Sequence, residues 1–292
     1  MELFRALAVF AEPPTTESAG IAAALELGAL PEASEYTETF VFQLYPYASV
    51  YLGAEGMLGG EARDLIAGFW RALAQTPPAE PDHLSVMLAL YAQLVELEAS
   101  ARGDARRESW QRARRAYLWE HLLSWLPFYL SKLKEVAPPF YRRWAEMLLD
   151  ALSEEARATR EPPQLSLHLR ESLRLVDPRE DEAGRFLQSL LSPALSGMIL
   201  VRSDLSRAAR TLELGLRIGE RKYVLESLLA QDARGVLGWL AREAREWGER
   251  HRRLRDTFGE TARVWEAKAT ASAQLLEELK AATDTEAETP AV

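Results

Sequence analysis

The sequence predicts an all-α protein, a single helical-bundle domain with a helical C-terminal extension. Three observations carry that reading. Apolar residues recur at i, i+3, i+4 and i+7 through most of the chain, the stripe that an amphipathic helix buries. No run alternates apolar and polar residues between turn signals, as a half-buried strand would. Residues 251–280 are rich in Ala, Glu, Lys and Arg, which favour helix with little loss of side-chain freedom.

The first predicted helix covers 17–30, and 36–52 is helical with a break at Pro46. Residues 62–74 place Leu65, Ile66, Phe69 and Leu73 on one face. A long helix starts at Leu84 and carries Leu84, Met87, Leu88, Tyr91, Leu94 and Val95. Asp82 stands where an N-cap carboxylate would accept that helix's free amides. Gly103 stands where a C-cap would end it. The next helix spans 104–126, with Trp110, Ala113, Tyr117, Leu118, Leu122 and Trp125 as its apolar positions. Pro127 then kinks or restarts it, because proline lacks the amide of a helix interior.

Another helix follows Pro138 and Pro139, carrying Phe140, Trp144, Met147, Leu148 and Leu152. Residues 154–184 are the linker candidate, with Pro162, Pro163 and Pro178 around a short helix-like piece at 165–175. Beyond it come helices at 183–191, 203–214, 219–229, 232–248 and 251–280. The expected division is 1–155 as the core, 156–280 as the helical C-terminal part, and 281–292 as a polar, disordered tail.

Composition narrows the function classes. The chain has 292 residues, of which 48% are hydrophobic and 27% charged, enough for a packed core and a solvated surface. It has no cysteine, which excludes disulfides, thiolate metal sites and cysteine nucleophiles. No apolar run reaches the roughly 18 residues of a membrane span, and the N-terminus lacks a basic region ahead of a long apolar run. The expectation is a cytoplasmic protein without stable membrane insertion. The net charge is −9 and lies unevenly: residues 1–110 hold 16 acidic and 6 basic residues, the remainder 28 and 29. An acidic N-terminal half disfavours nucleic acid and anionic membrane and would attract a cationic partner.

Convergent catalytic groups are not signalled. His83, His121, His168 and His251 are widely spaced, and no HExxH occurs. Glu80 and His83 have the Glu-x-x-His spacing of di-iron bundles, but Pro81 between them argues against the helix interior that such a site needs. There is no phosphate-binding glycine loop of the P-loop or dinucleotide type and no GxSxG elbow. The expectation is a protein that is not an enzyme and needs no metal or cofactor. Paired arginines at 106–107, 114–115, 142–143 and 252–253 read as solvated helix faces. The stripe Arg102, Arg106, Arg107, Arg112, Arg114, Arg115 could instead meet an acidic partner or nucleic acid. Trp110 and Tyr117 interleave with it at core spacing, which favours packing.

Two stretches are informative together. Glu80-Pro81-Asp82-His83-Leu84 is an acidic, proline-stiffened loop that opens a helix. Glu120-His121-Leu122-Leu123-Ser124-Trp125, followed by Phe128, closes another. With the earlier runs 44–52 and 69–73 they stand in the order of the TorD/DmsD/NarJ family of molybdoenzyme assembly chaperones, which the chain resembles over about 36–155. It departs from the family pattern by one residue fewer between Pro81 and Asp82, and by Ser124 where proline often precedes the tryptophan. Residues 196–205 and 215–221 look like an extension carried by longer members.

The resemblance implies a cytoplasmic chaperone. It would bind the catalytic subunit of a molybdopterin oxidoreductase, or its twin-arginine signal peptide, until cofactor insertion. The signal-peptide residues would be Glu80, Asp82, His83, Leu84, Met87, His121, Trp125 and Phe128. Carboxylates would pair with guanidinium forks, and Leu84, Met87, Leu88, Trp125 and Phe128 would line a groove for the apolar region. The residues alone also allow Asp82 as a plain N-cap, His83 and His121 as core histidines, and Trp125 as core. The alternative function is a helical scaffold or adaptor unrelated to redox enzymes. The protein would be a monomer or homodimer.

Overall fold

Helices supply every regular element among the described residues of the computed structural model, which are 2–162, 164–170, 174–181 and 183–288. The only extended pairing among them is an isolated antiparallel bridge between Tyr47 and His83. The chain forms two compact units, Met1–Gly53 with Met57–Arg170 and Ala54–Gly56 with Glu171–Val292. The boundary expected near 155 thus compares with a division at 170.

Unit 1 contains α1 (Glu2–Val9), α2 (Ala19–Ala24), α3 (Ala33–Tyr36), α4 (Ala48–Leu52), α5 (Gly60–Ala72), α6 (Leu84–Ser100), α7 (Asp104–Tyr117), α8 (Leu126–Val136), α9 (Pro139–Thr159) and α10 (Leu167–Arg170). Two π-helical turns, Thr37–Gln43 and Leu118–Leu122, interrupt the regular period. The first follows α3, and the second joins α7 to the turn before α8. Pro127 sits in the first turn of α8, where its missing amide costs nothing. The kink read from the sequence is therefore a new helix start.

α6 packs against α1 and α7, and α8 against α9. Leu84, Met87, Leu88 and Tyr91 face the core, all fully buried; each such aliphatic side chain stabilises the fold by roughly 1.5–3 kcal/mol. Trp144 is buried against Phe40 and Tyr141, and its indole N–H donates to the Leu7 carbonyl at 2.9 Å, tying α9 to α1. α7 is strongly polar, and only Tyr117 of it is buried. Arg114 anchors it instead, pairing with Glu98 of α6 at 2.8 Å and with Glu155 of α9. Arg115 donates to the carbonyls of Arg160 and Glu161. These two arginines are not the solvated pair that the sequence suggests.

Gly103 does not end α6. With φ at +90° it is the N-cap of α7, and α6 ends at Ser100 with Ala101 as its C-cap. The helix expected at 17–30 ends at Ala24, followed by left-handed backbone at Glu26 and Gly28.

Unit 2 contains α11 (Ala183–Leu191), α12 (Pro193–Ser196), α13 (Arg202–Thr211), α14 (Arg221–Gln231), α15 (Ala233–Arg253) and α16 (Arg255–Glu288), the last broken at Gly259. α15 and α16 pair along their length. The turn after α12 is clamped onto them: the Gly197 carbonyl lies 2.8 Å from His251 Nε2, Ser272 donates to the Ser196 carbonyl at 2.8 Å, and the buried Lys268 donates to the Ala194 carbonyl. Burial lowers the Lys268 pKa to about 8. Asp204 and Glu243 are buried and share Arg207, with contacts of 2.9 Å and 2.6 Å.

α16 continues to Glu288, into the segment read as a tail, while 289–292 lie outside the described residues. The helix-like piece at 165–175 is helical over Leu167–Arg170, and 171–173 lie outside the described residues. No described helix is long and apolar enough to cross a membrane.

Candidate functional site

The loop before α6 is held by backbone pairing. Ala48 donates to the Asp82 carbonyl at 3.0 Å, and Leu84 donates to the Pro46 carbonyl at 2.8 Å. Two segments far apart in the chain, at 46–48 and 82–84, thereby lie side by side. The paired residues themselves, Tyr47 and His83, have extended backbone.

Asp82 does not cap α6. Its carboxylate accepts from the Ser49 amide at 3.4 Å, so it serves the first turn of α4, and it is only 2% exposed. The N-cap of α6 is His83, whose Nδ1 accepts from the Ser85 amide at 3.4 Å. The Ser85 hydroxyl lies 2.7 Å from the same nitrogen and donates to Glu12. The His83 ring also meets Tyr47 edge-on with centroids 4.7 Å apart. Burial pushes the His83 pKa down, while the charges of Glu12, Glu80 and Asp82 pull it up. No hydrogen bond among the described residues joins Asp82 to His83, so they do not make an acid–base pair. Both side chains lie inside, and replacing them acts on the fold first.

Glu80 is the exposed member of the predicted set, and its carboxylate accepts from the Tyr47 hydroxyl at 3.0 Å. Burial and Glu80 together raise the Tyr47 pKa, so the phenol stays protonated as the donor. Glu12 adds a second, half-exposed carboxylate beside His83. The run that reaches Tyr47 carries exposed Val41, Phe42 and Tyr45. Tyr45 stands two residues before Tyr47, the donor to Glu80.

The residues expected to line the apolar groove lie buried. Leu84, Met87, Leu88, Trp125 and Phe128 are each 0% exposed and form core. Trp125 stacks on Tyr51 with centroids 5.2 Å apart, and its N–H donates to the His121 carbonyl at 3.0 Å. His121 lies 5% exposed with its Nδ1 3.3 Å from His168 Nε2, the core-histidine arrangement. Nearby Glu120 accepts from the Leu167 amide, and burial raises its pKa.

The His121–His168 pair has a pH consequence. Burial, with the neighbouring ring, lowers His121 to about 3, and burial lowers His168 to about 4. Unfolded histidines take up protons near pH 6.5, so below that pH the unfolded chain binds protons that the folded chain refuses. Stability is then complete above pH 6.5 and falls as pH drops toward 4, by about 1.4 kcal/mol per pH unit for each proton. Urea unfolding at pH 7.5, 6 and 5 should show that slope, and His168→Gln should lessen it by about one proton's share, with His121 and the buried His251, lowered to about 4, supplying the rest; an unchanged slope in the variant would place the proton uptake elsewhere.

Sequence reasoning missed Glu12, Tyr47, Ser49 and His168 as partners of this region. Tyr47 sits in a run already singled out, but nothing local marks it as the donor to Glu80. Glu12 is 73 residues from Ser85 in the chain, and no spacing rule connects them.

The loop thus sets one exposed carboxylate, Glu80, over the buried Asp82 and His83. Residues 10–129 match the family described as nitrate reductase delta subunit, the NarJ/TorD-type chaperone family, and the chain resembles that family over this stretch. The match takes in the runs at 44–52, 80–84 and 120–128. Among individual proteins, the chaperone protein TorD of Vibrio vulnificus (strain YJ016) is 30% identical over 94 residues, 31% of this chain and 44% of that protein. The chain therefore spans less than half the length of that relative. Both matches are to chaperones and not to enzymes.

Proposed function

We propose that this protein is a cytoplasmic assembly chaperone, not an enzyme, for a molybdopterin-dependent oxidoreductase. It holds the catalytic subunit, or that subunit's twin-arginine signal peptide, until the cofactor is inserted. The carrying observation is the family match over 10–129, the stretch that also carries exposed Glu80 and exposed Val41, Phe42 and Tyr45. The binding surface is redrawn accordingly. Glu80 and Glu12 receive the guanidiniums, Val41, Phe42 and Tyr45 receive the apolar region, and Asp82, His83, Leu84, Met87, His121, Trp125 and Phe128 support them from within.

The test is calorimetric titration with the twin-arginine signal peptide of the molybdopterin oxidoreductase encoded nearest to this gene, beside a Lys-Lys version. A guanidinium fork pairs with a carboxylate through two bonds, and an ammonium does not. The native peptide should bind, with the Lys-Lys version and Glu80→Gln each costing about tenfold in affinity. Equal binding of both peptides would remove the guanidinium-reading role. No binding to either would leave the body of the subunit as the contact, as for a client that is never exported.

A further inference from the structure

The acidic loop is not the only shaped surface of unit 1. A second groove runs along the solvent side of α6. Its floor is Ala89, Gln93, Leu97 and Ser100, on one helical stripe about 16 Å long. Arg5 of α1 and Trp70 of α5 flank a concavity of about 500 Å³. This continues, through shared Leu97 and Ser100, into a second of about 230 Å³ walled by Arg102, Arg106 and Trp110.

Two features say what this groove takes. The first is that α6 is apolar almost all round. Its core face is Leu84, Met87, Leu88 and Tyr91, yet Val86, Ala89 and Leu97 on other faces still meet solvent. A helix of that kind is normally covered on every side. The second is charge. Arg5 is paired with Glu96, but no ion pair among the described residues neutralises Arg102, Arg106 or Arg107; of the two carboxylates in the same run, Asp104 and Glu108, the second lies 3.9 Å from Arg112. Trp110 lies half-buried between the arginines and the groove floor.

We propose that this groove docks an acidic amphipathic helix of a protein partner. Three turns of its apolar face would lie on the α6 stripe and against Trp70 and Trp110, with glutamates or aspartates at one end meeting Arg102 and Arg106. A floor of Ala89 and Leu97 interspersed with Gln93 and Ser100, flanked by Trp70 and Trp110 and with arginines at one end, selects by helical spacing and by sign together. The sign is opposite to that of the Glu12–Glu80 surface. A twin-arginine peptide is therefore repelled here, and the groove takes a different part of the client. The inference shares the chaperone reading only in its choice of client; the groove itself rests on its own residues.

The test uses the full chain and a fluorescein-labelled 14-residue helical peptide with leucines at i, i+4, i+7 and i+11 and three glutamates in its first turn. A control peptide has lysines in place of the glutamates. Anisotropy should show binding of the glutamate peptide that falls about tenfold in the Arg102→Glu/Arg106→Glu variant and weakens with salt. These arginines are exposed, so the variant should melt like the parent. Equal binding of both peptides, no binding of either, or no loss in the variant would overturn the proposal. A labelled 20-nucleotide single strand that binds and loses affinity in the variant, with the peptide indifferent, would overturn it in favour of nucleic acid. The twin-arginine peptide titrated into the same variant should bind as it does to the parent. Its failure with both chains would count against the Glu80 surface alone.

Discussion

Trp125→Ala should cost unit 1 about 3–5 kcal/mol, the range for emptying the volume of a buried aromatic. The indole is fully buried between Tyr51 and Tyr129, with ring centroids 5.2 Å from each. Alanine would remove both ring contacts and leave the His121 carbonyl without its donor. Little of this loss can be recovered by collapse, because the walls are themselves large rings on separate helices. Urea unfolding should show a clear fall in midpoint, while signal-peptide affinity, corrected for the folded fraction, stays near that of the parent. The opposite pattern, nearly unchanged stability with binding abolished, would show that the tryptophan faces a groove that opens in solution, as the resemblance to the chaperone family first implied.

Gly197→Ala should be as damaging in unit 2, at about 3 kcal/mol or more. The residue has φ at +70°, where a non-glycine residue costs roughly 1–2 kcal/mol. An added Cβ would also stand 2.4 Å from the Ala269 amide nitrogen and 2.9 Å from both Lys268 Cβ and the Trp265 carbonyl oxygen. The atoms at Ala269 and Trp265 are backbone of α16 and cannot swing aside. Overpacking of that kind adds a further 1–3 kcal/mol. Hydrogen exchange should show loss of protection concentrated in α12, α15 and α16. A change below about 1 kcal/mol would mean that the 195–199 turn shifts without losing its bonds to His251 and Ser272.

Helix type and order were legible in the sequence because each long helix carries its stripe: Leu84 to Val95, and Phe140 to Leu152. What the stripe cannot say is whether its apolar face meets core or ligand. Met87, Trp125 and Phe128 have the same spacing in either case, and all three turn inward. The polar partners were illegible for a related reason. Asp82 precedes a helix start, so local rules give it to α6, but its carboxylate goes to α4 across 33 residues. Glu80 alone kept its expected surface position, because a loop glutamate beside proline has little means of burial without a cation. Short elements were also hard to see: α1, with eight residues, shows barely two turns of pattern.

The π-helical turn Leu118–Leu122 bears on how this chain would line up with others. Such a turn is in effect one extra residue fitted into a helix, so it marks a natural place for a single-residue insertion or deletion between homologous chains. Removing one residue there would restore the regular spiral and turn everything after it by about 100° relative to α7. His121 would leave His168, and Trp125 would leave Tyr51. Any chain that keeps the histidine, the tryptophan and the phenylalanine in this arrangement must therefore keep the extra residue too, whatever letter occupies it.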